Sequence, residues 1–194
     1  MTLKDFGRNL KLTIVVICSM RLKLSTKTGN FQLMNEDFKY RTATNKDTAK
    51  ITSLVKSILP EFNLDFDAEG SEKDLSDIEK TYTNNGGTFI VIENGQNEIV
   101  GSIALLRLDS NNCKLRKLYI AKDFRRLNLG SRLLDQALQR ASELNFKTIY
   151  LETVHTMTAA IHLYRKSGFR IIDDRTAASP RCDMVMVKSI ENLH

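Results

Sequence analysis

The sequence predicts one α/β domain, a mixed β-sheet of about seven strands flanked by about four helices, in the order β-α-α-β-β-β-α-β-α-β-β. Three observations lead there. Strand-like and helix-like runs alternate along the chain, with three consecutive strands near its middle. A length of 194 residues suits one domain with a substantial core. The hydrophobic share of 42% and charged share of 27% are those of a soluble globular protein.

The elements follow in order. Phe38 to Thr42 reads as a first strand. Thr44 or Asn45 can cap the next helix, and Asp47 strengthens its first turn. Ile51, Leu54, Val55, Ile58 and Leu59 recur at helical spacing until Pro60. Residues 61–71 form an acidic, irregular loop. Lys73 to Tyr82 reads as a second, weaker helix, stopped by Asn84-Asn85-Gly86-Gly87. Thr88–Glu93 and Glu98–Leu108 are strands, and Asn94-Gly95-Gln96-Asn97 between them is a hairpin signal. A fourth strand covers about Lys114 to Ala121. The strongest helix runs from Leu129 to Leu144 on a stripe of Leu133, Leu134, Ala137, Leu138, Ala141 and Leu144. Lys147–Val154 is a fifth strand. A helix carrying Met157, Ala160, Ile161 and Tyr164 follows and stops at Gly168. Phe169–Ile172 and Asp183–Lys188 complete the strands.

The charge sits unevenly. Residues 1–34 hold six cations against Asp5, an excess of +5 out of a net +6. The basic character therefore belongs to an N-terminal extension, residues 1–34, and not to the domain, residues 35–194. That argues against nucleic-acid binding by the domain, which needs a basic face of its own. The apolar run Leu12–Met20 is shorter than the roughly 20 residues a membrane span needs. No small-x-small cleavage site follows it. The extension reads as a poorly ordered tail, or as sequence ahead of a start at Met20 or Met34. Cys18, Cys113 and Cys182 are widely spaced and include no CxxC pair. A zinc site or disulfide framework is not expected, and reduced thiols in the cytoplasm are.

One stretch points to chemistry. A strand-like run leads into Arg125-Arg126-Leu127-Asn128-Leu129-Gly130-Ser131, and a helix leads out. Backbone N–H groups at such a turn have no internal partner. The helix dipole adds positive potential, so the turn can cradle a phosphate.

Three segments together resemble the GNAT family of N-acetyltransferases. The turn resembles the family's Arg/Gln-x-x-Gly-x-Gly/Ala loop. Leu151-Glu152-Thr153 resembles its next strand. Ala160 to Phe169 resembles its A-x-x-LY-x-x-x-GF segment. The likeness covers about residues 36–190. It departs at Asn128, which stands where the family has its middle glycine. Asn best tolerates the left-handed backbone among the other residues, so the cradle is expected to survive.

The resemblance implies acetyl-CoA as donor and a small-molecule or peptide amine as acceptor, with direct transfer. It assigns the pyrophosphate to backbone N–H groups from Arg125 through Arg126, Leu127, Asn128, Leu129, Gly130 and Ser131, with added charge from Arg125. It places the pantetheine arm along Leu118, Tyr119 and Ile120, where the fourth and fifth strands splay apart. It makes Tyr164 the proton donor to the leaving thiolate. Glu152 is the candidate base, with His155 a second choice. No metal is implied. Residues 56–85 and 173–182 are expected to set specificity. The acids of the first segment (Glu61, Asp65, Asp67, Glu69, Glu72, Asp74 and Asp77) either attract a cationic amine or merely aid solubility. A non-catalytic acyl-CoA sensor and a partner-binding module remain alternatives, and a monomer or homodimer is expected.

Overall fold

The computed structural model describes residues 38–172 and 181–190. The expected extension, residues 1–34, and most of the segment 173–182 lie outside the described residues.

Seven strands form one sheet in the order β1-β2-β3-β4-β5-β7-β6. They are β1 (Lys39–Thr42), β2 (Thr88–Glu93), β3 (Ile99–Arg107), β4 (Asn112–Ile120), β5 (Thr148–Thr153), β6 (Arg170–Ile172) and β7 (Met184–Ser189). Among the described residues, three α-helices accompany them: α1 (Thr48–Ile58), α2 (Leu129–Glu143) and α3 (Thr158–Lys166). β4 and β5 pair in parallel, while the other neighbours are antiparallel. A parallel pair needs a crossover, and α2 supplies it.

The sheet is buried on both faces. Along β2, Phe89 and Val91 join a cluster with Ile51, Leu54, Val55 and Ile58 of α1. Ile90 and Ile92 join the opposite cluster, with Leu133, Leu134, Ala137 and Ala141 of α2. This is the period-2 alternation of a strand meeting the helical stripes of its two covers.

Local chemistry sets the element ends. In the β2–β3 turn, the Asn94 side-chain carbonyl accepts the N–H groups of Gln96 (3.0 Å) and Glu98 (2.9 Å). Asn97 takes the left-handed conformation the turn needs, at φ 60°. Before α1, the Asp47 carboxylate accepts the Thr44 N–H at 2.9 Å and a two-pronged contact from Arg41 at 2.8 Å. Gly168 ends α3 at φ +87°, and the next N–H, of Phe169, closes on the Tyr164 carbonyl at 3.0 Å. Asn145 does the same for α2 at φ 61°.

The second predicted helix is a correction. Lys73–Leu75 is a 3₁₀ turn and Glu79–Thr83 a π turn, with no α-helix between. Leu75, Ile78 and Tyr82 are nonetheless buried, as their spacing suggested. The buried Tyr82 hydroxyl donates to Asp74, and Asp74 in turn serves β4, so tertiary bonds override the helical repeat.

The decisive irregularity lies in β4. Ala104 pairs with Arg116 and Ser102 with Tyr119, so Lys117 and Leu118 both stand opposite Ile103. Lys117 is left-handed, at φ 57°. A bulge of this kind bends its strand and increases its twist.

Candidate active site

The bend separates β4 from β5. Their pairing covers Asn112↔Thr148 to Leu115↔Leu151 and stops there. Beyond it, Arg116 to Ile120 pairs with β3 only, and Glu152 and Thr153 pair with β7 only. The facing backbones diverge into a cleft whose β4 edge carries Leu118, Tyr119 and Ile120. Leu118 and Ile120 pack against the α2-side cluster, and Tyr119 against the α1-side cluster.

The turn after β4 lies at the end of this edge. A 3₁₀ turn, Lys122–Phe124, leads to an extended Arg125, then to Arg126 at φ 64° and Asn128 at φ 61°. Asn128 is the N-cap of α2 and its side chain makes no capping bond, so its left-handed backbone is its whole contribution. The N–H groups of Leu127, Asn128, Leu129, Gly130 and Ser131 have no acceptor among the described residues. Converging orphan donors at a helix start suit an anion. A Cβ built on Gly130 would meet only Ile120 Cγ1 and Leu163 Cδ2, both at 3.7 Å. Packing inside the protein therefore does not demand this glycine.

Arg125 is anchored within the protein. Its guanidinium bonds Glu61 at 2.7 and 2.8 Å, and its Nε donates to the Ile120 carbonyl at 3.0 Å. Glu61 holds it from the turn just after α1, and the Arg125 N–H bonds the Lys122 carbonyl at 3.4 Å.

Tyr164 comes from α3. It is 6% exposed, and burial, then nearby Tyr119, push its phenol well above the ordinary value. The Phe169 ring lies 5.7 Å from its own. Together with the Phe169 N–H bond, this contact holds Tyr164 at both backbone and ring, which gives the Gly-Phe of the motif a physical purpose.

A pocket opens where the strands splay. Arg116, Lys117 and Tyr119 line it from β4, Glu152 and Thr153 from β5, Leu64, Ser71 and Glu72 from the segment before β2, and Arg181 and Cys182 from the segment before β7. Ile149, Leu151 and Thr153 point into the buried layer, so alternation turns Glu152 to the other face. There it pairs with the ammonium of Lys114 at 2.5 Å.

Residues 53–169 match the acetyltransferase (GNAT) family. The chain belongs to the GNAT family of acetyltransferases. The uncharacterized N-acetyltransferase YjgM of Escherichia coli is 30% identical over 138 residues, covering 69% of this chain and 82% of that protein. A GNAT acetyltransferase structure from Staphylococcus aureus is 29% identical, with a TM-score of 0.75 over 80% of this chain and 100% of that one. The fold is also shared with a phosphinothricin acetyltransferase of Sinorhizobium meliloti, solved in complex with acetyl-CoA, at a TM-score of 0.62 and 17% identity over 79% of this chain and 88% of that one. As a GNAT enzyme the chain is an acyltransferase, with acetyl-CoA as co-substrate and an amine as acceptor.

Other expectations fare differently in this GNAT structure. Five of the seven acids before β2 have partners within the protein. Glu61 serves Arg125, Glu72 and Asp74 hold Lys117, Asp67 accepts the Gly70 N–H, and Asp77 accepts the Lys80 N–H. His155 contacts the Asp183 carboxylate through Nδ1 on an exposed surface, with no part in lining the pocket. His162 is exposed. The N-cap of α3 is Met157, without a side-chain bond. Cys113 is fully buried, and burial pushes its thiol up to about 12. Cys182 lies at the pocket and is half-buried. Sequence reasoning missed Lys117, Arg116 and Arg181. Lysine is an unusual residue for a left-handed bulge, and only its tertiary partners explain it.

Proposed function

We propose that this GNAT enzyme transfers an acetyl group directly from acetyl-CoA to an amine in the cleft between β4 and β5. The observation that carries the proposal is the end of their pairing after Leu115 and Leu151, which leaves the β4 edge able to bond an amide-rich ligand as a strand would. The N–H groups of Leu127 to Ser131 would hold the pyrophosphate, with Gly130 giving room for its approach. Arg126 would add exposed charge beside it. Arg125 positions the loop by holding the Ile120 carbonyl and Glu61.

The bound thioester supplies the activated acetyl group. A backbone N–H in Leu118 to Ile120 would polarise its carbonyl, an effect typically worth about 3 kcal/mol. The amine nitrogen bonds to the acetyl carbon as the carbon–sulfur bond breaks. Tyr164 gives its proton to the leaving thiolate, and its raised pKa keeps that proton in place at neutral pH. Glu152 accepts the proton lost by the amine, directly or through water. Lys114 orients that carboxylate.

No helix among the described residues is long and apolar enough to cross a membrane. Cys113 and Cys182 are free thiols, which suits the cytoplasm. The reading carries no nucleic-acid partner, since the domain lacks the chain's basic excess, and it is compatible with a monomer or homodimer. Thiol release from acetyl-CoA across a panel of amines tests it. Amine-dependent release with matching N-acetylated product is expected, and release without product would overturn it.

A further inference from the structure

We propose that the acceptor is an amine that also carries a carboxylate, as an amino acid does, and that Arg116 and Arg181 bind that carboxylate. The inference rests on the acetyl-transfer reading above and names its acceptor class.

The pocket's charges are layered. Glu72 and Lys117 line its floor and Asp74 backs Lys117, the two acids having side chains 1% and 6% exposed. Lys117 is sunk between them, 3% exposed, 3.1 Å from each. Above this floor stand Arg116 and Arg181, 25% and 26% exposed. Arg181 donates to Glu72 at 2.6 Å and to the Asp65 carbonyl at 2.9 Å. Arg116 donates to the Ser71 carbonyl at 2.7 Å and lies 3.4 Å from Asp74. Among the described residues of this cluster, three cations thus share two carboxylates, and the positive charge left over falls on the layer that meets solvent. The Lys114–Glu152 pair beside it is balanced and does not change that sum.

A cationic acceptor would meet like charge here. An anionic group would be drawn in and would complete the balance. A guanidinium has five N–H donors in a planar fork that matches a carboxylate. The contacts above leave some of those donors over on both arginines. The same field serves the chemistry. Nearby positive charge disfavours an ammonium, so it lowers the acceptor's pKa and favours the neutral amine that can attack. The two arginines come from segments on opposite sides of the cleft, one in β4 and one before β7, so a bound carboxylate would also bridge them.

The test uses the full-length enzyme and acetyl-CoA with matched acceptor series: an amino acid, its primary amide, the amine lacking the carboxyl group, and the aminophosphonate of the same skeleton, taken over a set of side chains. Loss of the carboxylate is expected to lower kcat/KM about tenfold or more, as removing one hydrogen-bonded charge does. Arg116→Gln and Arg181→Gln are expected to raise the KM for the amino acid by a similar factor, to shrink its preference over the amine, and to leave the acetyl-CoA KM unchanged. The acceptor series needs no variant, so a failure of either variant to fold does not blunt the test. Equal or better transfer to the carboxylate-free amines, polyamines included, overturns the proposal and leaves acetyl transfer standing. Preference for the phosphonate overturns the assignment to carboxylate. Transfer to no amine at all, with acetyl-CoA still bound, overturns the catalytic reading and this inference with it.

Discussion

The Arg125 guanidinium closes on the Glu61 carboxylate through two hydrogen bonds, 2.7 and 2.8 Å long, and so ties the phosphate-type turn to the chain just after α1. The pair holds the Glu61 carboxyl below its ordinary range. Both side chains are about one-third exposed, at 35% and 30%, so the ion pair itself is worth about 0–1 kcal/mol. Glu61→Ala should therefore cost less than about 1 kcal/mol in urea unfolding. Arg125→Ala also frees the Ile120 carbonyl and should weaken acetyl-CoA more than Glu61→Ala does, as read by calorimetric titration.

Gly130 separates stability from binding. Gly130→Ala meets no clash in the protein and adds helix propensity, so stability should rise by up to about 1 kcal/mol. Acetyl-CoA affinity should fall, because the new methyl group occupies the cradle. A variant that keeps its affinity would remove Gly130 from the binding site. At Asn128, glycine relieves the left-handed backbone and should leave affinity equal or better, while Asn128→Val should destabilise by about 1–2 kcal/mol.

Tyr164→Phe keeps the ring against Phe169 and removes the proton. Turnover should drop roughly a hundredfold or more, with the acetyl-CoA dissociation constant nearly unchanged. Because burial raises this phenol, kcat in the parent enzyme should show no loss of the acid below about pH 10. Tyr82 is raised for the same reason. Raised groups stabilise the fold below their unfolded value, so stability should decline as pH climbs past about 10.

Lys117 carries two opposed terms. Its left-handed backbone is costly, and its buried ammonium answers Glu72 and Asp74. Lys117→Met leaves those acids beneath the pocket with less compensation and should destabilise by about 3–5 kcal/mol in chemical denaturation. A change under about 1 kcal/mol would show that Arg116 and Arg181 suffice to neutralise them.

Asp47 sets an acid limit. The Arg41 guanidinium, bonded to it at 2.8 Å, holds its carboxyl down to about 2. Its contribution is full above the ordinary carboxylate value and is lost as pH falls from about 4 through about 2. Unfolding midpoints measured across that window should drop in the parent protein and flatten in Asp47→Asn. At pH 7 that variant should be weaker by about 1–3 kcal/mol.

Much of the site was legible because its parts are local. The turn before α2 announces itself through residues that accept left-handed backbone, and Asn128 adopts it. The helix carrying Tyr164 and the strand carrying Glu152 follow from periods that neighbours in sequence impose, while the role proposed for Tyr164 came from the family resemblance. The false helix over Lys73–Tyr82 shows the limit. Its spacing is right for burial, yet Asp74 bonds Tyr82, Arg116 and Lys117, and those partners decide the backbone.

By itself, the sequence determined the α/β class, the strand order along the chain, the strand–turn–helix before α2 and the family, since each depends on periodicity or on short motifs. The tertiary structure alone decided where β4 parts from β5, what Arg125 holds, and that Glu72 and Asp74 are spent on the buried Lys117. Those outcomes depend on charges dozens of residues apart meeting in one low-dielectric place, and the pattern along the chain does not encode which of them will meet.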